Sequence, residues 1–113
     1  HHVGELTKLY SLGLSSNEIT TIPREIGKLT TLHTLILHKN QIKFLPPEIG
    51  QLGRLHVLYL QKNKLRKLPK EIQKLEDLFE LNIGDNRFLP WQKYLIRKRL
   101  PKCEIISFEP LDD

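Results

Sequence analysis

Residues 32–52 read LHTLILHKNQIKFLPPEIGQL, and residues 55–75 read LHVLYLQKNKLRKLPKEIQKL. Offset by 23 residues, the two segments set leucine on leucine, asparagine on asparagine and proline on proline. The phase runs on in both directions. Asparagines stand at Asn17, Asn40, Asn63 and Asn86. Ahead of them come Leu9, Leu12, Leu14; Leu32, Leu35, Leu37; Leu55, Leu58, Leu60; and Leu78, Leu81, Ile83. Behind them come Ile19, Ile42, Leu65 and Phe88. The later half repeats as Ile22-Pro23, Leu45-Pro46 and Leu68-Pro69, followed by Glu25-Ile26, Glu48-Ile49 and Glu71-Ile72, and closes at Leu29, Leu52 and Leu75.

The L-x-L alternation has the period of a strand with one buried face. A repeat of this length returns each strand parallel to the last, about 4.8 Å away, because the rest of the repeat supplies the long crossover that parallel pairing needs. The asparagine is short and polar, suited to turning the chain and pairing backbone groups that no strand satisfies. The proline ahead of the Glu-Ile pair suits the first position of a short helical turn on the opposite side. One coil cannot bury its own leucines; stacked coils do. The phased leucines are therefore core positions.

The pattern L-x-x-L-x-L-x-x-N-x-[IL]-x-x-[IL]-P-x-E-I-x-x-L, over about residues 6–90, resembles the leucine-rich-repeat family. Its repeat length and its L-P-x-E-I-G segment resemble the bacterial forms, as does the ending Ile96-Arg97-Lys98-Arg99-Leu100-Pro101-Lys102-Cys103-Glu104-Ile105-Ile106. The resemblance implies an α/β solenoid: a leucine-rich-repeat arc with a parallel sheet on the concave face, short helical or 3-10 turns on the convex face, and a C-terminal helical cap. It also implies a protein-interaction module of a secreted or surface-exposed bacterial protein, with a cytoplasmic setting left open. Residues 1–113 are read as a single domain: four repeat units, a cap from 91 onward, and a tag remnant within residues 1–5.

The two ends depart from the pattern. After Phe88 the proline is displaced, and Trp91 to Leu100 reads as an amphipathic helix stopped by Pro101, with Trp91, Tyr94 and Leu95 expected inward. Cys103 to Phe108 is expected to add a last strand. No comparable lid precedes Leu6, so Leu6, Leu9, Leu12 and Leu14 are expected at an open edge that pairs with a second copy.

Composition narrows the function. With 39% hydrophobic and 27% charged residues the chain is an ordinary globular sequence, not a disordered one. Its one cysteine, Cys103, excludes an internal disulfide. No stretch approaches the ~18 apolar residues of a membrane-spanning helix. No phosphate-cradling glycine loop and no nucleophile–base pair is evident, so neither enzyme activity, a cofactor nor a small-molecule substrate is expected. Cys103 is read as a packed thiol.

The outward strand positions stack into columns: Ser11, Thr34, Val57, Glu80; then Gly13, Ile36, Tyr59, Asn82; then Ser15, His38, Gln61, Gly84; then Ser16, Lys39, Lys62, Asp85. Ile36, Val57 and Tyr59 form an apolar cluster ringed by Thr34, His38, Lys39, Gln61 and Lys62, the composition of a protein-binding hot spot. Four strands give roughly 19 Å of sheet, a small footprint.

The alternative is a basic, anion-binding or adhesin-like protein. The net charge is +5, and Lys43 stacks on Arg66 as Lys64 does on Arg87, one repeat apart. This stripe would meet polysaccharide, lipid head groups or nucleic acid. Nucleic acid is disfavoured, because no exposed aromatic residues are expected among the cations. His33 and His56 share a column with Tyr10 and Phe79, so packing is the expected role. With no four-ligand spacing, no metal is expected there.

Overall fold

The computed structural model describes residues 9–107. Five strands of three residues each lie side by side in chain order: β1 (Ser11–Gly13), β2 (Thr34–Ile36), β3 (Val57–Tyr59), β4 (Glu80–Asn82) and β5 (Glu104–Ile106). All neighbours are parallel, and the register runs through Leu12, Leu35, Leu58, Leu81 and Ile105 at the strand centres. The central residue points to the core and its two neighbours point outward, as the alternation requires. The L-x-L reading is thereby met, and the tail adds a fifth strand within the expected Cys103–Phe108 segment. Phe108 lies outside the described residues, as do Leu6 and residues 1–5.

Across the core from the sheet, Arg24–Lys28, Pro47–Gln51 and Lys70–Lys74 form 3-10 turns. Each follows an extended proline, Pro23, Pro46 or Pro69, with φ of −72°, −74° and −65°. The fixed proline φ sets the approach to the turn. A leucine ends each turn through its N–H: Leu29 to Ile26 O, Leu52 to Ile49 O and Leu75 to Ile72 O, at 3.1, 3.2 and 3.1 Å. The turns stack tightly. A Cβ on Gly50 would lie 2.6 Å from the Glu71 carbonyl oxygen, so only glycine lets the two coils approach this closely. The third turn carries Gln73 at this position.

The buried core is a column of leucine and isoleucine from Ile22 to Leu100, filled at each level by the phased residues. Asparagines stitch the levels together, Asn40 and Asn63 buried and Asn86 half-buried. Asn63 Oδ1 accepts the Ile42 N–H at 3.0 Å, while its Nδ2 donates to Leu37 O and Leu60 O, both at 3.0 Å. Asn40 joins the first two coils in the same way, accepting from Ile19 N and donating to Leu14 O, and Asn86 does so for the third and fourth. Just before each asparagine the backbone turns left-handed, at Ser16, Lys39, Lys62 and Asp85, with φ between 54° and 62°. That turn aims the N–H of Ser16, Lys39 and Lys62 at His38 O, Gln61 O and Gly84 O of the next coil.

The expected cap is a ten-residue helix, α1 (Pro90–Arg99). Its inward face differs from the sequence reading. Ile96 and Leu100 are buried, whereas Trp91 and Tyr94 are 59% and 58% exposed and Leu95 is half-buried. A helix presents one stripe to its neighbour. Ile96 and Leu100, four residues apart, take that stripe together with Gln92, which turns Trp91 and Tyr94 outward, where Lys98 Nζ lies 5.5 Å from the Tyr94 ring. Gln92 also anchors the helix start, its Oε1 accepting the Leu89 N–H at 3.2 Å. Among the described residues no helix is long and apolar enough to cross a membrane. At the other end Leu9, Leu12 and Leu14 pack against the core but remain partly exposed, unlike Leu32, Leu35 and Leu37 one coil on.

Candidate functional site

Strand register assembles the outer face of the sheet. Ile36 pairs directly with Tyr59, and Tyr59 with Asn82; Thr34 pairs with Val57, and Val57 with Glu80. These six side chains are all half-buried, so they form one continuous surface. The Tyr59 hydroxyl donates to Glu80 Oε2 at 3.0 Å. That hydrogen bond raises the Tyr59 pKa above its ordinary value, helped by burial and by the carboxylate's charge. Asn82 Oδ1 accepts the Gly84 N–H at 3.0 Å, and His38 Nδ1 shares a hydrogen bond with Ser15 Oγ. Lys39 and Lys62 stand exposed on their left-handed turns, with His38 and half-buried Gln61 between them and the apolar cluster. Strand β5 lengthens both columns, adding Glu104 beside Glu80 and Ile106 beside Asn82. The sequence reading placed a strand there without carrying the columns across. The Glu-Ile-Ile triplet, with one isoleucine at the core position, was the available signal.

Along one edge of this face runs a ladder of rings. Tyr10 stacks on His33 at 4.2 Å between centroids, His33 on His56 at 4.7 Å, and His56 meets the edge of Phe79 at 5.7 Å. His33 Nδ1 is bonded to Thr31 O and His56 Nδ1 to Arg54 O. A carbonyl only accepts, so Nδ1 is the donor in both rings. The imidazole planes are 11° apart. Near-parallel rings direct their nitrogens side by side, whereas two ligands of one ion converge on it. Among the described residues no three His, Cys, Asp or Glu side chains gather around a common point.

The flank of the solenoid carries the cations. Gln41, Lys64 and Arg87 donate their N–H groups to Ile19 O, Ile42 O and Leu65 O at 2.9, 2.9 and 2.8 Å, which locks successive coils in phase. The phasing brings Lys43, Lys64, Arg66 and Arg87 together with Lys67, Phe44 and Gln92 around an open concavity of about 560 Å³ that no carboxylate lines. A second depression, sharing Lys67 and Gln92, continues to Trp91. Exposed rings thus do stand among the cations, against the sequence reading: Phe44 is 58% exposed, and Trp91 flanks the same surface. The register held the signal, since Phe44 shares its column with polar Thr21 and Lys67 and so faces outward.

Cys103 is half-buried against the cap. Burial, then the nearby charges of Glu104 and Glu80, push its thiol up to about 11. At neutral pH it is protonated, the opposite of an activated nucleophile.

A model of the leucine-rich repeat region matches residues 1–92. The chain belongs to the leucine-rich-repeat family. Among solved structures, a leucine-rich-repeat protein of Leptospira interrogans is 48% identical with a TM-score of 0.88, over 91% of this chain and 26% of that one. An internalin of Listeria monocytogenes is 30% identical with a TM-score of 0.76, over 93% of this chain and 29% of that one. Drosophila Toll, solved in complex with Spatzle, is 26% identical with a TM-score of 0.65, over 74% of this chain and 12% of that one. This leucine-rich-repeat chain thus spans less than a third of the length of the bacterial proteins it matches. No curated protein matches it.

Proposed function

We propose that this leucine-rich-repeat chain binds a protein partner through the outer face of its sheet and carries out no catalysis. The carrying observation is the direct pairing of Ile36 with Tyr59, beside Val57, inside a rim of polar and charged side chains. An aromatic and aliphatics that lose water at the centre of a polar rim are the usual composition of a hot spot. Tyr59 is held in place by Glu80, which lowers the ordering cost of binding. The Toll structure supports the reading, since that protein, which this chain resembles over 12% of its length, was solved in complex with another protein. The similarity to an internalin and to a Leptospira protein supports a bacterial, host- or self-directed setting.

The test is capture of partners from surface extracts by the wild type and by an Ile36→Glu, Tyr59→Glu double variant, at low and moderate salt. A partner held by the wild type at both salts and lost by the variant supports the sheet face. Equal capture by both proteins overturns it. Self-association through Leu9, Leu12 and Leu14 is a separate proposal, resting on their partial exposure; a strict monomer by light scattering at high concentration would overturn that one.

A further inference from the structure

The basic flank keeps large apolar side chains uncovered. Phe44, Leu89 and Trp91 are 58%, 55% and 59% exposed. By repeat register Leu89 continues the column of Lys43 and Arg66, and its N–H is held by Gln92, which lines both flank depressions. Phe44 lines the cation cluster, Trp91 lines the adjoining depression that shares Lys67 and Gln92, and Leu89 is tied to both through Gln92. A face serving solubility alone would carry charge without them.

Each class of polyanion would use this surface differently. Single-stranded nucleic acid would take the cations and stack on the rings but has no use for Leu89. A sulfated polysaccharide would take the cations alone. An anionic bilayer uses all of it: tryptophan and other large apolar side chains settle at the boundary between head groups and acyl chains, while Lys and Arg meet the lipid phosphates. In the first coil the corresponding columns hold Glu18, Thr20 and Thr21, so the cations and the large apolar residues of these columns belong to the later coils.

We propose that this flank docks on membrane surfaces rich in anionic phospholipid, with Phe44, Leu89 and Trp91 entering the interface and the surrounding cations holding lipid phosphates. The site is separate from the sheet face, so neither reading depends on the other.

Trp91 is the chain's single tryptophan and so reports directly. The protein is titrated with vesicles of phosphatidylcholine alone and of phosphatidylcholine mixed with phosphatidylglycerol, reading co-sedimentation and the Trp91 emission. Expected are binding and a blue-shifted emission with the anionic vesicles only, reversed by moderate salt. A Lys64→Gln, Arg87→Gln variant should lower the partition coefficient roughly 30-fold. A Leu89→Ser variant, with charge unchanged, should weaken binding and reduce the blue shift. Arg87 and Leu89 are exposed and Lys64 is half-buried, and unchanged circular dichroism and melting confirm that the variants fold. Absence of a blue shift with anionic vesicles overturns the proposal, as does equal binding to neutral ones. Tight binding of an oligonucleotide or heparin at a salt where vesicles do not bind overturns it in favour of that polymer.

Discussion

The Tyr59 hydroxyl and the Glu80 carboxylate form a hydrogen bond 3.0 Å long across the β3–β4 pair, at the centre of the proposed contact surface. The carboxylate accepts from the neutral phenol and repels the phenolate, so the bond raises the Tyr59 pKa. Glu80→Gln should bring the last phenolate transition in an ultraviolet titration down toward the ordinary tyrosine range. No change in that transition would mean that Glu80 does not hold the ring in solution. Because the pair lies on the surface, folding stability should move by less than about 1 kcal/mol.

The stitching asparagines differ in what they hold. Asn63 is 7% exposed and satisfies Ile42 N–H, Leu37 O and Leu60 O. Asn63→Ala strands these groups away from water, and at about 1–3 kcal/mol each it should cost about 3 kcal/mol or more. Asn17 is exposed, and its side chain donates within its own turn, to Ser15 O at 3.0 Å. Asn17→Ala should cost less than about 1 kcal/mol. Denaturant unfolding of both variants checks the contrast, and equal losses would contradict it.

Glycines in neighbouring positions should respond with opposite sign. Gly50→Ala forces a Cβ to 2.6 Å from Glu71 O, and overpacking of this kind costs about 1–3 kcal/mol. Around Gly53 nothing lies within 4 Å of an added Cβ, and its φ is not positive. Gly53→Ala should therefore be neutral or stabilise by up to about 1 kcal/mol, through the unfolded chain. The expected outcome is a Gly50→Ala melt below the wild type and a Gly53→Ala melt at or above it.

Cys103 provides a pH handle. Its folded pKa of about 11 lies above the ordinary value near 9. The folded state thus favours the thiol: this contribution is fully present below pH 9 and is lost as pH rises toward 11. Alkylation of the native protein by iodoacetamide should stay slow at pH 9 and accelerate only toward pH 11, while the unfolded chain reacts readily at pH 9. Glu104→Gln removes a charge that raises the pKa and should move the native profile to lower pH. A native profile matching the unfolded one would show the thiol to be solvated.

Leucine phase and asparagine spacing disclosed the strands, turns and stitching, because each of those positions does the same physical work in every coil. Columns could be read wherever the repeat persisted, which is why Ile36, Val57 and Tyr59 were legible as one surface and Lys43, Lys64, Arg66 and Arg87 as another. The reading failed where the repeat stopped. Trp91 and Tyr94 look like lid residues on hydrophobicity alone, yet Phe88, Ile96 and Leu100 already close the last coil and leave them no buried place. Phe44 differs: it lies inside a coil, and only its column-mates Thr21 and Lys67 disclose that its large apolar side chain faces outward.

The asparagine stitches have a direction. Asn40, Asn63 and Asn86 each reach back to the coil before, so the first coil is held by Asn40 from its neighbour, while the Asn17 side chain, among the described residues, donates within its own turn. Among the described coils the ladder behaves as a zip whose loose tab is at the N-terminal side and whose stop is the α1 helix. Opening from the tab releases one coil's amide protons at a time without disturbing those beyond, so deuterium should enter Gln41 earlier than Lys64, and Lys64 earlier than Arg87. Strength should accumulate toward the cap, so the flank itself should open in order, Lys43 and Phe44 before Lys64 and Arg66, and Arg87 last.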